Sequence, residues 1–235
     1  QTSWGDRMDV GRRAELEANL ADVRARITTA ADAAGRDPAD VTLIAVTKTW
    51  PLSDIRILRD LGITEFGENR DQEARPKAEE WARIDGRTAN WHFIGQLQSN
   101  KAKSVAEYAQ VVHTVDRASL VEALRKPGRP LDCLVQLSID GDTARGGCAR
   151  SGIQALADSL SAPLSLRGIM AVAPIDMDPE RAFAVVREVH DELSMRFPDA
   201  TMRCIGMSDD LEAAVMATRR AHHPGPDPPP SGRRL

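Results

Sequence analysis

Four short clusters in this chain carry side chains able to do chemistry. The first ends at Lys48. The run Val41-Thr42-Leu43-Ile44-Ala45-Val46-Thr47 is apolar or β-branched throughout, and Thr49-Trp50-Pro51 stops it at once. Such a run reads as a buried strand. A lysine at its carboxyl end would be held at the mouth of the fold. In an apolar site it loses its proton more easily, and its free amine can add to an aldehyde to form a Schiff base. By position alone, an ordinary strand-end lysine reaching solvent accounts for Lys48 better.

The second cluster is Phe66-Gly67-Glu68-Asn69-Arg70, where Asn69 offers a donor and an acceptor at a strand end. A turn with a helix cap explains it equally well. The third is Trp91-His92-Phe93-Ile94-Gly95, running on to Lys101. His92 alternates with apolar positions, so a satisfied core histidine is its better reading. The fourth is Gly206-Met207-Ser208-Asp209-Asp210-Leu211-Glu212. There a strand gives way to a helix whose first N–H groups, with the Ser208 hydroxyl, can hold a phosphate. A plain N-cap with acidic residues in the first turn satisfies the same rules.

The elements that must position these clusters alternate. A helix is expected over residues 11–34, where Leu16, Leu20, Val23 and Ile27 recur at helical spacing. Strands follow at 42–47, 65–68, 91–94, 111–115, 131–137, 166–172 and 202–207. Helices are expected near 52–61, 70–83, 99–108, 117–124, 153–160 and 179–196, with another after Ser208. Seven strand-then-helix units predict a parallel sheet with helical crossovers. No GxGxxG follows the first strand, which disfavours a dinucleotide fold and favours a (β/α)8 barrel. Lys48, Asn69, Gly95 and Ser208 then all fall at strand ends. An eighth strand has no place to form. From Ala217 the composition turns to Pro, Arg and His, with five prolines between Pro224 and Pro230. Residues 1–216 are therefore expected as the barrel domain and 217–235 as a disordered tail, an abrupt switch that suggests an altered gene end.

Composition excludes several classes. With 235 residues and 42% apolar content the chain can bury a sizeable core, but at 4% aromatic that core must be mainly aliphatic. A net charge of −4 gives no electrostatic case for nucleic acid or an anionic membrane. Cys133, Cys148 and Cys204 have no paired spacing, which argues against disulfides and zinc and for a reducing cytoplasm. No secretory signal or transmembrane-length run is expected. His222-His223 alone makes no metal site.

Taken together, the clusters resemble the pyridoxal phosphate homeostasis proteins. The matching pieces are Ala45-Val46-Thr47-Lys48-Thr49; Phe66-Gly67-Glu68-Asn69-Arg70 with Gln72-Glu73-Ala74 and Pro76-Lys77; and Trp91-His92-Phe93-Ile94-Gly95 with Leu97-Gln98-Ser99-Asn100-Lys101. Leu166-Arg167-Gly168-Ile169-Met170-Ala171 and Gly206 through Ala214 complete the set, so the resemblance spans roughly residues 11–215. It implies an alanine racemase-like (β/α)8 barrel with an extra N-terminal helix. It also implies pyridoxal 5′-phosphate held as a Schiff base on Lys48, with Asn69 beside the cofactor and Gly206, Met207 and Ser208 at its phosphate. The implied role is vitamin B6 homeostasis without efficient catalysis, in a cytoplasmic monomer whose recipients would be apo-enzymes that need the cofactor. The chain departs from the family pattern at Cys204, where a serine is usual, and in lacking the last Val-Arg-Ile-Gly-Thr strand. The alternatives are a racemase-like enzyme, which needs a second acid or base opposite the lysine, or a relative that has lost the cofactor.

Overall fold

A computed structural model describes residues 4–207 and 209–217, with side chains from residue 10. The strands are β1 (Ala45–Val46), β2 (Glu65–Glu68), β3 (Asn90–Phe93), β4 (Val111–Val115), β5 (Leu131–Gln136), β6 (Leu164–Met170) and β7 (Met202–Cys204). The helices are α1 (Trp4–Ala33), α2 (Leu52–Asp60), α3 (Asp71–Ile84), α4 (Ala102–Tyr108), α5 (Ala118–Arg125), α6 (Ile153–Ser159), α7 (Pro179–Arg196) and α8 (Leu211–Ala217).

All neighbouring strands are parallel, and their order in the sheet is their order in the chain. Right-handed crossovers repeated in one direction put every helix on the same side of the sheet. That side is packed. Phe93, Val112, Cys133, Val135 and Ile169 meet the buried faces of α4–α7, while Phe66 and Trp91 meet Leu20 of α1, Ile55 of α2 and Trp81 of α3. Residues on the opposite face are also buried: Val111, Leu134 and Met170 form a cluster with Met202 and Cys204. A sheet with helices on one face only can bury its other face by curling on itself. The expected barrel architecture is thus present, with seven strands among the described residues.

β1 and β7 are the two ends of this sheet. The helical layer continues across the gap between them. Ala30 and Ala31 of α1 pack on Val215 of α8, and Arg26 donates to Glu212 at 2.6 Å. On its other side α1 meets α2, where Arg12 donates to Asp54 at 2.6 Å. The extra N-terminal helix therefore backs the seam.

The two strands that fall well short of expectation are these end strands. Residues 42–47 and 202–207 read as strands, yet only Ala45–Val46 and Met202–Cys204 join the ladder. Among the described residues each has a partner on one side only, so fewer ladder bonds extend it. Ser208 and the tail from residue 218 onward lie outside the described residues.

Candidate functional site at the carboxyl ends of the strands

Lys48 stands on a turn just past β1. The Trp50 N–H donates to the Thr47 carbonyl at 3.1 Å, closing a four-residue turn with Lys48 at its second position. Thr49, at the third, has φ of +67° and is the one non-glycine residue with positive φ among the described residues. That combination is the pattern of a type II turn, where glycine or asparagine is the usual third residue. Lys48 is exposed there, at the mouth of the barrel.

A charged network from α3 braces this turn. Lys77 is 12% exposed at its side chain. Its ammonium donates to the Thr47 carbonyl at 2.7 Å, to Glu68 Oε1 at 2.9 Å and to Glu73 Oε1 at 2.7 Å. The Thr47 hydroxyl donates to Glu68 at 2.7 Å, and the Thr49 N–H donates to Glu73. Hydrogen bonding by Lys77, helped by the Thr49 N–H, outweighs burial and holds the Glu73 carboxyl below the usual range.

Asn69 follows β2 and is half-buried. Its backbone runs so close to Gly95 that a β-carbon there would lie 2.2 Å from the Asn69 carbonyl oxygen. Only glycine fits, and the Thr114 hydroxyl holds the Gly95 carbonyl at 2.6 Å. The ends of β2, β3 and β4 are knit together in this way. Sequence reasoning placed Gly95 at a strand end but did not see that it sets the path of Asn69.

Beyond β7, Gly206 has φ of +93°, and a β-carbon on it would lie 2.4 Å from that of Ala214. Met207 is exposed, and its N–H donates to Asp210. An acidic side chain therefore occupies an amide that a phosphate could otherwise use. Cys204, where the resemblance implies a serine, sits among Met170 and Met202, and burial pushes its thiol up to about 12.

Below the rim the barrel interior is divided. His92 lies two places beyond Asn90, the register partner of Glu65, and His113 lies two places beyond Val111, the partner of His92. This diagonal is hydrogen-bonded: His92 Nε2 lies 2.6 Å from Glu65 Oε2, and His92 Nδ1 lies 2.7 Å from His113 Nε2. Burial alone would raise the Glu65 carboxyl. Bonds from His92, Asn90 and Thr64 together hold it below its usual range. Burial and the neighbouring His92 push His113 down to about 3, so its ring is neutral. His92 is thus a satisfied core histidine, as its alternation implied. Val111, Leu134, Met170, Met202 and Cys204 make an apolar patch beside this diagonal. A cavity of about 540 Å³ lies by α1 and the starts of β1 and β2, lined by Arg24, Thr42, Thr64 and Glu65 among others, and Lys48 is not on it.

The sequence-predicted residues Lys48, Asn69, Gly206 and Met207 all lie at the carboxyl ends of strands; Ser208 is outside the described residues. Glu68, Glu73 and Lys77 were present in the motifs without a role. Their only sequence signal is the four-residue spacing of Glu73 and Lys77 on one helix face. Among the described residues no cluster of His, Cys, Asp and Glu could hold a metal ion, the three cysteines are free, and no helix is long and apolar enough to cross a membrane.

A parallel barrel with a lysine on the turn after its first strand defines a class, and comparison with known proteins agrees. The alanine racemase N-terminal domain family matches residues 18–225. The chain is 42% identical over 206 residues to the pyridoxal phosphate homeostasis protein of Pseudomonas aeruginosa, covering 84% of this chain and 87% of that one. It is 40% identical over 206 residues to the Corynebacterium glutamicum protein of the same name, with 82% and 91% covered. The structure of PipY from Synechococcus elongatus with pyridoxal phosphate bound superposes with a TM-score of 0.69 at 30% identity, covering 83% of this chain and 93% of PipY. The chain belongs to the pyridoxal phosphate homeostasis protein family.

Proposed function

We propose that this protein binds pyridoxal 5′-phosphate covalently through Lys48 and serves vitamin B6 homeostasis as a carrier rather than as an enzyme. The observation that carries the reading is Lys48 itself: an exposed amine on a braced turn at the strand-end mouth of the barrel. The family relatives and the cofactor in PipY support it.

The residues fit the cofactor. When bound it would supply an aldehyde carbon that a lysine amine can hold covalently with loss of water. Lys48 supplies that amine. Asn69, fixed in place by Gly95, offers an amide that can donate to or accept from a ring substituent. Gly206, Met207 and Ser208 are assigned to the phosphate, which would take the Met207 N–H in place of Asp210. The barrel of residues 1–216 is the binding unit.

The non-catalytic part of the reading is supported by Tyr108. A two-base racemase needs a second acid or base across from the lysine. Tyr108 is the chain's single tyrosine. It is half-buried and packs with the helix-side clusters. Burial, and then Asp71 beside it, push its phenol well above the usual range. Loaded protein would pass its cofactor to apo-enzymes that need it.

Titration of the purified protein with pyridoxal phosphate tests this. A lysine-linked absorbance band that Lys48→Ala abolishes is expected. No band in either protein would mean that the cofactor is no longer held, and amino-acid turnover above that of free cofactor would return the protein to the enzymes.

A further inference from the structure

We propose that Lys77 and Glu73 of α3 are positioning residues for Lys48, holding the turn that carries it in a conformation it would not keep alone. The inference rests on Lys48 being the cofactor lysine. Two independent observations lead to it.

The first is the backbone. Thr49 is β-branched, yet its φ is +67°. A β-branched residue in the left-handed region is a steric outlier, because its branch crowds its own carbonyl. Such strain persists only where the surroundings over-determine it, and it concentrates at functional sites. Nothing in the turn's own sequence, Thr47-Lys48-Thr49-Trp50, favours this shape.

The second is the brace. The backbone groups on both sides of Lys48 are engaged by one helix. Before it, the Thr47 carbonyl accepts from Lys77 at 2.7 Å as well as from the Trp50 N–H at 3.1 Å. After it, the Thr49 N–H donates to Glu73 Oε1, the same oxygen that Lys77 reaches at 2.7 Å. Glu68, 1% exposed, anchors the far side by accepting from Lys77 at 2.9 Å and from the Thr47 hydroxyl at 2.7 Å. Withdrawing an ammonium from water between two carboxylates is worthwhile only when its hydrogen bonds are satisfied, and here they are. The two lysines divide the work. Lys77 is largely buried and committed to the backbone and two carboxylates, whereas Lys48 is exposed.

The consequence is positional. A lysine side chain has four rotatable bonds, so its amine samples a wide volume if its α-carbon also moves. Fixing the turn removes the backbone share of that volume and keeps the amine near one point on the rim. Misplacement by about 1 Å can lower reactivity about a hundredfold.

The test compares wild type with Lys77→Met, Lys77→Arg and Glu73→Ala. Cofactor affinity is read by absorbance titration. The fraction linked to Lys48 is read by borohydride trapping and peptide mass, and the turn is read in cofactor-free protein by hydrogen exchange at the Thr49 amide. Lys77→Met should weaken affinity about tenfold or more and speed Thr49 exchange by a similar factor, with Lys77→Arg recovering part of both. Glu73→Ala removes the Thr49 acceptor while leaving Lys77 with Glu68, and serves if Lys77→Met does not fold. Folded variants that bind within about twofold of wild type, or that lose affinity with Thr49 exchange unchanged, would overturn the proposal. If wild type gives no Lys48-linked band, the cofactor reading itself fails, and the exchange data still decide whether the brace holds the turn.

Discussion

At the β1 rim, Lys48 rides on a turn whose flanking groups are taken up by Glu68, Glu73 and Lys77. At the β7 rim the chain leaves Cys204 through Gly206 and reaches α8 with its Met207 N–H on Asp210. One rim is built from charged side chains delivered by the neighbouring helix, the other from the absence of a side chain. The difference follows from what each would contribute. A reacting amine must be aimed, and multiple hydrogen bonds to the backbone aim it. Gly206 instead answers packing, since a β-carbon there would lie 2.4 Å from that of Ala214, and the N–H that follows it is already held by Asp210. The β7 rim also adjoins the seam, where among the described residues one side of the strand has no ladder to stiffen it.

Substitutions can break or sharpen this contrast. Lys48→Ala should have the largest functional effect, abolishing the lysine-linked absorbance. It should leave the thermal midpoint nearly unchanged, because the side chain is exposed. A retained band would move the reacting amine elsewhere. Gly95→Ala should be the most damaging to the fold. Its β-carbon would lie 2.2 Å from the Asn69 carbonyl, and backbone cannot step aside as a side chain can. A loss of about 3 kcal/mol in urea unfolding is expected. Gly206→Ala should cost less, about 1–2 kcal/mol, although φ is +93° at Gly206. The opposing atom is the Ala214 β-carbon on a short end helix that can shift.

Thr49→Gly should raise stability by about 0.5–1 kcal/mol, since relief of left-handed strain exceeds the added chain entropy of glycine. It should nonetheless weaken cofactor binding a few-fold by freeing the turn. Stability and affinity falling together would show that Thr49 is not strained. The smallest effect belongs to the seam. Arg26→Ala should lower the thermal midpoint slightly, and the change should shrink in high salt because the pair is exposed. Arg26 holds the Glu212 carboxyl at about 2, below its usual 4.5. The depressed value means the pair stabilises fully above the ordinary carboxylate range. Its contribution fades as pH falls through about 2, so wild type and variant should converge in acid.

Periodicity made much of the fold legible. The expected strands at 65–68 and 111–115 and the helix at 179–196 coincide with β2, β4 and α7. β2 and β4 are paired on both edges and α7 packs one face on the sheet, so their hydrophobic pattern and their hydrogen bonds agree. β1 and β7 look as strand-like in sequence but end early, because ladder length depends on a neighbour that pattern cannot reveal. The site was legible unevenly. Lys48 and Asn69 stand just past expected strands, and the alternation of strands and helices alone places them on the rim. Lys77 resembles any helix-surface lysine paired with a glutamate four residues away.

The order of apolar and polar residues by itself determined the alternation of strands and helices, the parallel sheet and the rim on which Lys48 falls, because those follow from local periodicity. The tertiary structure alone decided that Lys48 occupies a turn with a strained neighbour, that Gly95 must be glycine, and that Lys77 serves Thr47 rather than solvent. Each depends on bringing together atoms more than twenty residues apart in the chain, and close packing and hydrogen-bond geometry are set only when the barrel curls.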